Sequence, residues 1–104
     1  MAELKHVEWL APWGPTDPGL ERELHRDIGS SQHPLHGRSA VAVARRSDTD
    51  DVLFFLPDGP EPLAVVHLTW AEHPERRPEW PSTDFFASLT DWIERGMKVD
   101  ARER

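Results

Sequence analysis

The sequence predicts an α+β fold: an antiparallel three- to four-stranded meander with an N-terminal and a C-terminal helix packed on the sheet. Two apolar spacings flank the middle of the chain, Leu20/Leu24/Ile28 before it and Leu89/Trp92/Ile93/Met97 after it. Recurrence at three and four residues marks one face of a helix. Between them lie three β-rich runs, at 39–45, 51–56 and 63–70. Their connections are too short to hold crossover helices, which selects antiparallel neighbours.

Residues 1–15 read as an irregular arm. Leu4 to Trp9 suits a short strand or a helical turn, and Pro12, Gly14 and Pro15 then break any regular path. Trp9 and Trp13 are costly to leave in water, so the arm is expected to lie across the domain. Thr16 or Asp17 can cap the first helix, with Pro18 in its first turn and Glu21 favouring the N-terminal dipole. Glu21, Arg22, Glu23, His25, Arg26 and Asp27 read as its wet face, and Gly29 as its stop.

In the first β run, Ala40, Ala42 and Ala44 suggest a face closely covered by a helix. The second, Asp51 to Leu56, is apolar on both faces and reads as central. Asp58-Gly59 marks the next turn. In the third, Ala64, Val66, Leu68 and Trp70 share one face, and Val65, His67 and Thr69 share the other. Trp70 is expected in the core. A long loop, 71–81, follows, stiffened by Pro74, Pro78 and Pro81. Asp84-Phe85-Phe86 suits a short edge strand. Ser88 to Asp91 resembles a capping box at the start of the last helix, Gly96 weakens its end, and 98–104 reads as a frayed tail.

The chain is 104 residues long, 38% hydrophobic and 30% charged, which fits a single domain over 1–104. It has no cysteine, so disulfides and thiolate metal sites are excluded and a reducing, cytoplasmic location is expected. No apolar run approaches the roughly 18 residues of a membrane span, and the first residues lack the pattern of a secretory signal. The formal net charge is −7, with each basic pair interleaved with acids. Nucleic acid and anionic membrane are therefore expected to be poor partners.

Four stretches, Gly19 to Arg26, His33-Pro34-Leu35, Asp51 to Phe54 and Ala64 to Trp70, resemble a family of small bacterial proteins with no established activity. The resemblance covers most of residues 16–95. It implies a small bacterial α+β domain and transfers no catalytic residue.

The residue types admit several chemistries. A histidine sits mid-strand at position 67, on the weaker face, with Leu53 or Phe55 expected opposite. With His33 and His36 it could ligate zinc and leave a position open for water. The His-x-x-His spacing in a proline-bearing loop lacks the helical arrangement that sets a base beside the metal, and the plainer reading is a hydrogen-bonded strand histidine and two loop residues. Zinc is thus an option rather than a predicted cofactor. Serines and aspartates are present, but there is no Gly-x-Ser-x-Gly elbow and no phosphate loop, and no residue is assigned a catalytic role. Trp13 and Trp80 lie in proline-bearing segments, where tryptophan either seals a small core or anchors a partner. Arg76 and Arg77 share the 71–81 loop with Trp80.

The reading that follows is a non-enzymatic protein-interaction domain with an unidentified protein partner. Its contacts are expected among His67, Thr69, Arg76, Arg77, Trp80 and Trp13. The alternative is a small-molecule or metal-binding domain, with hydrolase chemistry as one form of it, centred on His67 with His33 and His36.

Overall fold

The second β run is the natural centre of a sheet, because both its faces are apolar. A computed structural model describes residues 8–16, 19–70 and 74–102, and it places that run as the middle strand of five. The strands are β1 (Trp13–Pro15), β2 (Val41–Arg46), β3 (Asp51–Phe55), β4 (Leu63–His67) and β5 (Ser82–Phe86). They lie in chain order, and every pair is antiparallel. The meander is therefore the expected one, with five strands rather than three to four. The strand not foreseen is β1, contributed by the arm expected to be irregular through residue 15. Three residues bracketed by Pro12 and Pro15 give almost no periodic signal, so pairing with Ala44 to Arg46 supplies the order.

Each face of the sheet carries its own core. Helix α1 (Leu20–Asp27) covers the first face. There Leu20, Leu24 and Ile28 meet Ala42, Val52, Phe54, Ala64, Val66 and Leu68. The second face is covered by a C-terminal helical run: α2 (Leu89–Trp92), a π-helical segment (Ile93–Met97) and α3 (Lys98–Arg102). Trp92 and Met97 pack there with Trp13, Ala44, Leu53, Leu63 and Phe86. Trp92 meets Trp13 edge to face at 5.2 Å and Trp9 at 6.2 Å. The two helices thus pack on opposite faces.

The three alanines of the first β run do not share a face. A bulge between Ala42 and Ala44 sets Ala42 opposite Phe54 and Ala44 opposite Leu53. An inserted residue shifts the alternation by one, so Ala40 and Ala42 lie towards α1 while Ala44 joins the core under Trp92.

The helix ends also differ from expectation. Gly19, at φ 90°, caps α1 with no side-chain bond, and Asp17 and Pro18 fall outside the described residues. Glu21 instead accepts the Ala42 N–H at 2.9 Å, tying the helix to β2. At the other helix, Ser88 caps as predicted and accepts the Asp91 N–H at 3.0 Å. The Asp91 carboxyl is pushed down to about 2, chiefly by its bond to Arg95 and then by the Ala87 N–H. The tail expected to fray remains helical through Arg102, held where Asp100 accepts the Trp13 indole N–H at 2.8 Å and pairs with Arg46. The expected strand or turn at 4–9 lies mostly outside the described residues.

Candidate functional site

Strand β4 was expected to run to Trp70, but it leaves the sheet after His67. The reason lies on α1. Glu23 and Asp27 fall three and seven residues after Leu20, on the same face as the apolar stripe, and both are buried, at 7% and 0% exposure. They were expected on the wet face with their charged neighbours. The Asp27 carboxylate accepts the backbone N–H groups of Thr69 at 2.8 Å and Trp70 at 3.3 Å. These donors are lost to the sheet ladder, and the chain turns away. Trp70 takes the left-handed φ of 53°, and its side chain, expected in the core, is 50% exposed.

The magnitudes favour this exit. A non-glycine residue held at positive φ costs about 1–3 kcal/mol. A hydrogen bond to a charged acceptor returns about 1.5–3 kcal/mol, and Asp27 accepts two. An acid in the last turn of a helix is also opposed by the macrodipole. Helix propensity does not select Asp27 there; the two captured N–H groups give it a role.

The β4–β5 connection is moored a second time. The Glu75 N–H donates to the Asp27 carbonyl at 2.8 Å, and Ile28 and Glu75 form a short parallel bridge. A Cβ on Gly29 would collide with the Glu75 carbonyl oxygen and with Pro74. Gly29 thus permits backbone to meet backbone, rather than serving as a left-handed helix stop. At the far end of the connection, His33 Nε2–H donates to the Pro81 carbonyl at 2.9 Å, while Nδ1 accepts the Leu35 N–H at 3.0 Å. Between the moorings the described part of the connection carries Arg76, Arg77, Glu79 and Trp80, all exposed, with Trp80 at 42%.

The buried acids act on each other. Glu23 Oε2, Asp27 Oδ1 and Thr69 Oγ1 are buried with no hydrogen-bond partner among the described residues. The two acids stand four residues apart on the buried face of α1, and two carboxyls can bond to each other only by holding a proton between them. Glu23 is accordingly pushed up to about 7, first by burial, then by its hydrogen bond to Asp27 and by that group's charge, with Arg26 opposing.

His67 lies elsewhere. Its strand neighbours are Asp51 on β3 and Ser82 on β5, not Leu53 or Phe55. Nδ1–H donates to Asp51 at 2.8 Å, and the side chain is 46% exposed. Asp51 continues through Arg46 to Asp100 in a chain of ion pairs. Asp51, His67 and Ser82 are the residue types of an acyl-transfer triad, but among the described residues no hydrogen bond joins Ser82 to the imidazole. A triad is defined by that geometry.

The three histidines are not gathered. His33 is buried on the α1 face, where its partner Thr83 sits opposite Val66, whereas His67 belongs with Val65 on the other face. Both ring nitrogens of His33 are engaged by backbone, which leaves no lone pair for a metal. His36 is exposed. Among the described residues no group of three His, Asp or Glu side chains is placed to hold a metal ion. Trp13 is buried under Trp92 rather than presented outward. An open hollow of about 490 Å³ beside β1 touches Pro12, Trp13, Pro15 and Arg45, and none of the other predicted site residues.

The structure therefore gathers Thr69, Arg76, Arg77 and Trp80 on one connection and adds Trp70, Glu23 and Asp27. The sequence signal for the two acids was their helical spacing from Leu20. No described helix is long and apolar enough to cross a membrane. Compared with family models, curated proteins and solved structures, the chain matches none.

Proposed function

We propose that this protein is a protein-interaction domain that recognises its partner through the β4–β5 connection, with Trp70 and Trp80 as anchors and Arg76 and Arg77 on the rim. The observation that carries the reading is Trp70. It is half exposed, yet its backbone is fixed at positive φ by a fully buried carboxylate. An exposed tryptophan on a fixed backbone loses little conformational freedom on binding, and tryptophan and arginine are the residues enriched at binding hot spots. Trp80 stands at the opposite end of the same moored segment. The absence of cysteine supports a reducing cytoplasm as the place of action.

The test compares capture by the wild type, Trp70→Ala, Trp80→Ala and Val41→Ala, the last removing an exposed apolar residue on β2. A partner retained by Val41→Ala and bound at least about thirtyfold more weakly by both tryptophan variants supports the reading; that is the roughly 2 kcal/mol of a hot spot. Equal recovery by all four proteins refutes it. Melting temperatures of the variants, measured alongside, separate lost contact from lost fold.

A further inference from the structure

We infer that Glu23 and Asp27 form a proton-operated latch: one proton shared by their carboxyl groups holds the Thr69–Trp70 backbone against α1, and loss of that proton releases it. Three independent features meet here. Both acids are buried one helical turn apart. Each has a carboxyl oxygen without a donor among the described residues, and a single shared proton answers both. One of the two is also the acceptor that draws the chain out of the sheet.

Among the described residues, the charged groups that act on Glu23 are Asp27 and Arg26. Arg26, on the same helix, stabilises the ionised form of Glu23 and Asp27 opposes it. From the packed connection, Glu75 approaches through its backbone N–H. Glu72 and His73, of the same connection, lie outside the described residues. The Thr69 and Trp70 N–H groups answer the charge of Asp27 alone, and no side chain among the described residues donates to Glu23 Oε2 or Asp27 Oδ1, so a second charge is relieved only in water, which requires the buried pair to part. The titration of Glu23 at about 7 places that event near neutral pH.

The inference concerns how the proposed recognition segment is controlled. Its bearing on binding rests on that reading, while the latch itself is read on the free protein. The experiment is amide NMR on the whole chain from pH 5.5 to 8.5, with hydrogen exchange at Thr69 and Trp70. In the wild type both amides shift with a common midpoint near neutrality. Their protection falls by about tenfold more than the intrinsic acceleration of exchange with pH, as local opening requires. Glu23→Gln keeps a hydrogen-bonding amide and every histidine but cannot titrate, so both effects vanish. In Asp27→Asn, which removes one charge of the pair, the midpoint falls. If Thr69 and Trp70 respond alike in wild type and Glu23→Gln, the latch is overturned, and so it is if Glu23 ionises with no loss of protection at either amide. Amides that titrate in a protein whose tryptophan variants bind normally would leave the latch standing and remove the recognition reading.

Discussion

Glu23 makes the stability of the domain depend on pH in the direction opposite to most carboxylates. Its ordinary value of 4.5 is raised to about 7 in the fold. Between those values the native state keeps a proton that the unfolded chain has already released. The stability that Glu23 contributes is therefore full below about 4.5, is lost as pH rises through 7 and changes no further above that. The full loss is on the order of 3 kcal/mol. Glu23→Gln is expected to abolish the decline, so that urea unfolding at pH 8 shows the variant gaining up to about 3 kcal/mol on the wild type relative to pH 5. Parallel pH curves for the two proteins would contradict this. The position of these acids was written in the chain: Leu20, Glu23, Leu24, Asp27 and Ile28 form one unbroken helical face. The identity of the residues hid it, because Asp and Glu are almost never fully buried unless paired. His67 was misplaced for a related reason. Its cross-strand neighbour depends on register, which a single strand does not encode.

Among the elements, the most legible were those whose order is local. Ser88 caps α2 as its spacing predicts, and β3 is central because both its faces are apolar. The departures occur where long-range contacts override local pattern. The bulge in β2 redirects Ala44, Asp27 ends β4 early, and β1 exists only by pairing. The C-terminal helix adds another. It widens into a π turn at Ile93–Met97, where a Cβ on Gly96 would lie 2.8 Å from Trp92 Cδ1 and 2.9 Å from Nε1. Helix propensity alone would make Gly96→Ala stabilising by about 1 kcal/mol. Here the obstacle is the ring of a fully buried tryptophan held between Trp9 and Trp13, so the overpacking cost of about 1–3 kcal/mol prevails. Thermal unfolding of Gly96→Ala is expected to show a lower melting temperature than wild type. A rise would mean that the ring moves aside freely.

Across the whole molecule the second core ties the two ends of the described chain together. β1 near its start and α3 near its end meet where the Trp13 indole N–H reaches Asp100, and Arg46 joins the same carboxylate from β2. Trp13→Phe keeps an aromatic ring in the core but removes this donor. It is expected to cost about 1.5–3 kcal/mol, the range for a hydrogen bond to a charged group, and to lower the melting temperature by several degrees. An unchanged melting temperature would show that the contact adds nothing. The strand order has a consequence at the margins of the sheet. A sheet extends where an outer strand still offers backbone N–H and C=O groups to a newcomer. β1 is three residues long and ends in Pro15, which has no N–H to give, whereas β5 has five residues and no proline. The two borders are thus unequal. β1 is closed by its brevity and chemistry, so chain-to-chain strand addition, including the first step of any aggregate, has its template at β5, where the exposed charge of Asp84 at mid-strand is the guard against it.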